Sequence, residues 1–566
     1  MPTGGPTGGL VLRQTIRGQR RRVIAASLLG MTHQGCEALV PVVIGATIDT
    51  AVATGSSSAL LRLLIVLAVL FLVLSTCYRT SARITEGSGE LAAHRLRLDL
   101  ATRVLDPRGG ADANRLPGAL TSIATNDARR VGSVATVIAY GVSAVAALVI
   151  SAVALLRISV PLGLLVLLGI PPLLWLGHRI SRPLEQRSEA EQERAAHASG
   201  VAADLVSGLR VLKGMGAESA AVARYRTTSQ DSLSAALRAA RSRAGHEGAV
   251  LALTGVFIAV IGVVGAYLAM DGSISVGDLV AAVGLAQFLL GPFQLLGYVN
   301  AELAQGRASA KRIAEVLASP EAVATGRDVP ADGAAGHVAL RGVTLGALRG
   351  VDLELPAGSL TGIVARDAAA ANDLLVCLAR EADPSEGAVE LDGTPLTSLD
   401  PDALRRVVLV AHHDADLFES TLLDNVRAGA ADDDAPAVER ALKASAADDV
   451  ARLLPNGGDT LLAERGRSLS GGQRQRVALA RALAADRPVL VLHDPTTAVD
   501  TVTESHIAAR LREVRRDRTT ILVTTSPALL AVTDRVIVLE DGAVQATGRH
   551  TELLAADATY RAAVLA

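Results

Sequence analysis

Ser470-Gly471-Gly472-Gln473 is the stretch whose residue types and order most directly suggest chemistry. Two adjacent glycines let a backbone approach an anion closely. Ser470 offers a hydroxyl donor, and the run Gln473 to Leu483 reads as a helix whose positive N-terminal end would face a phosphate. The same four residues could also open an ordinary helix, so the reading depends on their surroundings. A second candidate lies far upstream, where His33 and Glu37 stand four residues apart in an apolar segment and so share a helical face. Ionisable groups at such depth usually face a cavity or a partner. The pair reads either as a substrate or proton contact in a polar pathway, or as a structural pair bonded to a neighbouring helix. Cys36, Cys77 and Cys377 match no metal or redox spacing, and no metal-ligand set is expected from them.

The elements that position these residues follow from hydropathy. The chain has 566 residues, half of them hydrophobic, which is too long for one ordinary domain. Segments near 23–48, 59–80, 134–157, 160–180, 248–270 and 276–300 are apolar over the roughly 20 residues a bilayer requires. The connections 81–133 and 181–247 are long, polar and helix-patterned, and they hold Arg95, Arg97, Arg129, Arg130, Arg182 and Arg187, with Arg179 just before the second. Little more than Arg62 and Arg157 lies on the other side, so the positive-inside rule puts the N-terminus and both long loops in the cytoplasm. From His337 the pattern changes to short β-like runs alternating with helices, which argues for an α/β domain with a partly parallel sheet. A net charge of −2, with no basic face carrying interleaved aromatics, gives no support to nucleic-acid binding.

In that setting Leu469 to Arg476, reading LSGGQRQR, resembles the signature motif of ABC ATPases. Ala463 to Gly466 is similar to the exporter-specific loop upstream of it, and Thr497 to Asp500 to the D-loop downstream. The resemblance implies a membrane all-α domain of six long transmembrane helices followed by an α/β P-loop-type ABC nucleotide-binding domain. The expected division is a transmembrane domain at 1–318, a linker at 319–336 and the nucleotide-binding domain at 337–566. It further implies a multi-pass protein of the bacterial cytoplasmic membrane, with the C-terminal domain in the cytoplasm.

The family's P-loop pattern, G-x-x-x-x-G-K-[ST], is not met. Aligned on Leu374-Leu375, the glycine positions hold Ala365, Ala368 and Ala370, and the lysine position holds Ala371. Asn372 and Asp373 occupy the hydroxyl positions: either Asp373 caps the helix end that phosphate would otherwise occupy, or the loop has drifted without a role. The same comparison puts His413 at the glutamine that senses metal, and His493 at the Mg²⁺-binding aspartate. Asp494 stands for the catalytic glutamate, Thr525 for the switch histidine, and no aromatic near Val343 to Leu348 awaits adenine.

An intact signature beside a departed P-loop implies a different, catalytically competent half-transporter as partner. Ser470, Gly471, Gly472 and Gln473 would then bind the partner's ATP and Mg²⁺ in trans, with Glu464 and Asp500 at the interface. Hydrolysis is expected only in that composite site. The cargo would be a small molecule, peptide or lipid, with export favoured. A siderophore-type importer of the same fold and a non-catalytic membrane scaffold or regulator are the alternatives. Aromatics make up only 2% of the chain, which argues against a wide aromatic cavity unless the partner supplies the rings.

Overall fold

The computed structural model describes residues 6–113, 115–331, 333–413, 416–430 and 434–565. Six helical segments among them are long and apolar enough to cross a membrane. They fall on α1 (Arg20–Thr47), α2 (Ser57–Val104), α3 (Ala128–Ile158), α4 (Val160–Ser207), α5 (Glu218–Met270) and α6 (Val276–Leu317). Each contains, to within a residue, one of the apolar segments expected above. Helix is the form a lipid-facing chain must take, because it satisfies every backbone N–H and C=O within the segment. α2 and α4 each have 48 residues and α5 has 53. At about 1.5 Å per residue a 48-residue helix spans roughly 72 Å, more than twice the hydrocarbon thickness. The excess forms the long polar helices of the two cytoplasmic connections.

Small residues let these helices approach. A methyl group at Gly45 would stand 2.4 Å from the Gly277 carbonyl oxygen, and one at Gly132 would stand 2.5 Å from that of Gly89. The α1–α6 crossing is tied by Asp49, which accepts from the Gly277 N–H at 2.9 Å and from the Ser275 hydroxyl. Ser275 also caps α6 reciprocally with Asp278. Deeper in the chain, buried Asp127 accepts from Ser309 Oγ at 2.9 Å and from Arg312 Nε at 2.7 Å, holding the start of α3 to the end of α6.

The chain divides into two compact units, residues 1–100 with 118–318, and residues 101–117 with 319–566. Residues 101–117, expected in the first domain, therefore belong with the second unit. The cause is local hydrogen bonding. Most of this stretch is non-helical, so its carbonyls need partners. Arg103 donates to the carbonyls of Gly109 and Ser319, both at 2.9 Å, and Arg405 donates to that of Pro107 at 2.8 Å.

The second unit carries two sheets. The smaller is antiparallel, in the order β2-β1-β4-β5, from β1 (Val338–Leu345), β2 (Leu348–Leu355), β4 (Glu386–Leu391) and β5 (Thr394–Pro395). The larger has the order β10-β9-β3-β8-β7-β6. Its members are β3 (Leu360–Ala365), β6 (Val408–Ala411), β7 (Val489–His493), β8 (Thr519–Val523), β9 (Arg535–Glu540) and β10 (Ala543–Gly548). β3, β6, β7, β8 and β9 run parallel, and β10 closes the sheet antiparallel. Ile363, Val491 and Ile521 pack into the cluster on one face, while Leu490, Leu492 and Leu522 pack into the cluster on the other. Burial on both faces is why these strands read as unbroken Val/Ile/Leu runs.

The C-terminal helices close over this sheet through His550, whose Nδ1 lies 2.8 Å from the hydroxyl of fully buried Tyr560. Burial pushes the His550 imidazole below its ordinary value. Protons therefore favour the unfolded chain, so His550 costs no stability above about pH 6.5 and a growing amount as pH falls toward its folded value. Amide exchange over residues 550–565, corrected for intrinsic rates, is expected to speed up on acidification from about pH 8 to about pH 5. His550→Phe should flatten that dependence.

Candidate functional site

The parallel sheet determines where chemistry can occur. In such sheets ligands bind outside the carboxyl ends of the strands. Strands β3, β8, β7 and β6 are neighbours, so their ends bring Arg366 and Asp367, Thr524 and Thr525, His493 and Asp494, and His412 and His413 to one edge. All the positions singled out around the P-loop lie here or on the helix that follows.

The turn after β3 is short. Arg366 and Asp367 are its only non-regular residues, and helix α7 (Ala368–Leu378) begins immediately afterwards. An alanine run favours helix more than any other composition, so helix replaces what would be an open glycine loop. Asp367 is the N-cap, and its Oδ1 accepts from the Ala369 N–H at 2.9 Å. Ala370 and Ala371 are buried in the domain core. The capping role expected of Asp373 is therefore wrong, because the helix starts five residues earlier. Asp373 Oδ2 instead accepts from the Ala347 N–H at 2.7 Å, tying α7 to the β1–β2 turn. Any side chain at Gly346 would collide with that carboxylate.

On the next strands, His493 ends β7 with its Nδ1 3.3 Å from Nδ1 of His413, the two rings nearly perpendicular. His493 Nε2 lies 3.8 Å from Asp494 Oδ2. Asp494 takes a left-handed backbone, φ 44°, and donates its N–H to the Val523 carbonyl at 3.0 Å. Thr525 is exposed just past β8. Sequence comparison named these positions one by one; the contact between His413 and His493 emerges only from the fold.

The signature lies on α8 (Gly471–Ala484), with Ser470 as its N-cap. Ser470 Oγ accepts from the Gln473 N–H at 3.3 Å, and Gln473 Oε1 accepts from the Ser470 N–H at 2.8 Å. This reciprocal cap leaves the Ser470 O–H and the Gln473 amide protons able to donate elsewhere. Gly471 and Gly472 face the turn at Ala498, and a methyl group at Gly472 would stand 2.5 Å from the Ala498 carbonyl oxygen. Gln475, to which the sequence reading gave no separate role, locks the pieces together. Its Oε1 accepts from the Ala498 N–H and its Nε2 donates to Thr497 Oγ1, both at 2.7 Å. Its place one turn into the helix was the available signal.

Asp500 caps the next helix, α9 (Thr501–Val514), by accepting from the Thr503 N–H at 2.9 Å. That backbone N–H holds its carboxyl below the usual carboxylate range. Glu464 is exposed in a single helical turn, Glu464–Gly466. A 360 Å³ cavity beside the signature is lined by Arg465, Arg467 and Arg474 together with His413, Asp416 and Gly471. Among the described residues of its lining, Asp416 is the one carboxylate, pairing with Arg465 at 3.4 Å. The cavity is suited to an anion.

In the first unit, His33 Nδ1 lies 3.1 Å from the Leu74 carbonyl, Nε2 lies 3.5 Å from Glu37 Oε2, and the ring stacks at a tilt 5.1 Å from Tyr78.

Residues 23–293 match the ABC transporter transmembrane region, and residues 348–497 match the ABC transporter family. An ATP-dependent lipid A-core flippase of Chromohalobacter salexigens is 31% identical over 406 residues, covering 70% of each chain. The chain belongs to the ABC transporters. A multidrug efflux ATP-binding/permease protein of Mycobacterium tuberculosis is 31% identical over 83% of this chain, which spans 40% of that longer protein. The structure of a bacterial Atm1-family ABC exporter with ATP bound superposes with a TM-score of 0.77 at 25% identity, covering 96% of this chain and 98% of that one. This transporter is of the exporter type, with membrane and ATP-binding domains in one multi-pass chain of the inner membrane. ABC domains in general use ATP with Mg²⁺.

The residues at the transporter's own sheet edge differ from the family's pattern for that pair of ligands. Mg²⁺ takes oxygen ligands in octahedral geometry; here two imidazoles face each other, with the Asp494 carboxylate beside them. No glycine cradle precedes α7, and Asp367 already accepts the amide proton that a phosphate would take.

Close packing at Gly472 yields a direct expectation. Gly472→Ala forces the Ala498 backbone to move and should cost about 1–3 kcal/mol. It should appear as a lowered melting temperature of the purified transporter, whereas alanine at exposed Glu464 should leave melting nearly unchanged.

Proposed function

We propose that this chain is one half of a heterodimeric ABC exporter, lending its signature to a partner's ATP site while its own site stays catalytically silent. The observation that carries this reading is the contrast between the two edges of one domain. At the signature, the cap at Ser470, the paired glycines and three arginines leave donors and positive charge available to an anion. At the sheet edge, helix begins at Ala368, where a phosphate loop would be open, and Asp373 is committed to the β1–β2 turn.

In this arrangement Ser470 Oγ–H, the Gly471 and Gly472 backbone and the Gln473 amide bind and orient the terminal phosphate presented by the partner. Asp500 and Glu464 stand at the interface. Asp494, His413 and Thr525 perform no hydrolytic step on a nucleotide of their own. The relatives' names, a lipid A-core flippase and a multidrug efflux protein, favour an amphipathic lipid or drug as cargo. His33 and Glu37 would be a polar contact for it in the membrane pathway; their bond to the Leu74 carbonyl and to each other is what the competing structural reading expects.

The test is ATP turnover of the complex formed with the adjacent transporter gene product, before and after Gly471→Asp. The substitution places a carboxylate where the partner's γ-phosphate lies, and turnover is expected to fall by about a hundredfold or more while the complex stays assembled. Undiminished turnover would show that the working site does not use this signature and would favour the scaffold reading. Turnover by this chain alone would overturn the silent-site reading.

A further inference from the structure

A single residue, Gln19, links the short helix Gly8–Gly18 to α1. Gln19 is 3% exposed, and its Oε1 accepts from Arg22 Nη1 at 3.1 Å. That bond fixes which end of the amide is oxygen, so the other end is the donor Nε2. Nε2 is buried and has no acceptor. A fold normally avoids such a group, because a buried donor without a partner is destabilising. Gln19 lines a 350 Å³ cavity where the short helix meets α2 and Leu317 at the end of α6. Arg95 and Asp99, four residues apart and so on one helical face, stand on its α2 wall beside Leu96. Arg95 reaches back to the link, since a methyl group at Gly18 would stand 3.3 Å from its Nη1.

Arg13, Arg17 and Arg20 to Arg22 surround this link, all five exposed and all before the apolar part of α1 begins at Val23. Six spans and a cytoplasmic C-terminal domain put this end at the cytoplasmic membrane surface. About four to eight basic residues so placed form a binding surface for anionic lipid. The geometry points to a head-group site for an anionic glycerophospholipid of the cytoplasmic leaflet, of the phosphatidylglycerol type. Its phosphodiester accepts from Gln19 Nε2 and from the Arg95 guanidinium, and a head-group hydroxyl donates to the Asp99 carboxylate. At 350 Å³ the cavity is at the small end of ligand sites, so it takes the head group while the acyl chains stay in the bilayer beside α1. Seated there, the lipid would hold the short helix and α1 in one arrangement. A soluble glycerol phosphate carries the same chemistry, and the experiment separates the two sources. The site depends on neither the heterodimer nor the silent-site reading.

The experiment uses the full-length transporter, delipidated in detergent, and reads lipid retention by native mass spectrometry. Phosphatidylglycerol and phosphatidylcholine of equal chain length are added in turn, with sn-glycerol 3-phosphate as competitor. One phosphatidylglycerol per chain is expected, held about tenfold or more tighter than phosphatidylcholine. Glycerol phosphate at equal concentration should not displace it. Gln19→Glu keeps the size and the bond to Arg22 but turns the donor into a second oxygen, and Arg95→Gln removes the charge. A hydrogen bond to a charged group corresponds to about a tenfold or larger change, so each variant should weaken phosphatidylglycerol by that factor. Raising ammonium acetate to about 1 M, where the Debye length is about 3 Å, should leave the difference in place. Arg62→Gln, at the opposite side of the membrane, should change nothing. The melting temperature shows whether Gln19→Glu is folded, and Arg95→Gln, at an exposed residue, tests the site without touching the buried link. Equal binding by the wild type and both variants, or a preference that vanishes with salt, means that surface arginines attract lipid without a site and overturns the proposal. Displacement by equal glycerol phosphate assigns the cavity to a soluble ligand and overturns the lipid.

Discussion

Parallel pairing of β3, β8 and β7 is the constraint on which the second unit depends. Parallel strands require crossovers, and crossovers put helices on both faces, so these strands are buried twice over. Burial excludes polar side chains from the strand interiors and pushes them to the ends. The end of each strand is thus the first place where histidine, aspartate or threonine can appear without a desolvation penalty. Four neighbouring strands all end at one edge, which turns this local rule into a site. The edge exists whatever residues occupy it, so the fold can persist while its chemistry changes.

The signature region obeys a different logic. There side chains serve chiefly to hold the backbone. Gln475 spends both ends of its amide on the Thr497–Ala498 turn, and Gly472 gives that turn room. Because Asp500 then caps α9 a few residues on, the starts of two helices and the turn between them form one hydrogen-bonded piece. Rigidity of this kind suits a surface that must meet an anion in fixed geometry, since nothing needs to be ordered at the moment of contact.

Much of this was legible in the sequence, for reasons that differ by element. The membrane helices announce themselves because hydrocarbon admits no unpaired backbone, leaving long apolar runs as the only solution. Leu469 to Arg476 could mark the family because that resemblance rests on residue identity at adjacent positions. The start of α7 was misjudged because Ala368 to Ala371 was weighed against a glycine loop, although its composition favours helix outright. The tie from Asp373 to Ala347 and the meeting of His413 with His493 were beyond reach, since each joins residues far apart in the chain. The docking of residues 101–117 with the second unit was hidden for another reason. Arginines that bind carbonyls look, in sequence, like arginines that face water.

The early start of α7 also bears on history and on engineering. A glycine loop that loses its lysine alone keeps its shape, and one reversion restores it. Here the backbone itself has been recast: Asp367 caps the helix, Ala370 and Ala371 belong to the core, and the neighbouring turn leans on Asp373. Each of these changes now stabilises the others, so no single reversion is an improvement on the way back. Restoring an open glycine loop after β3 would therefore mean undoing several mutually supporting contacts together.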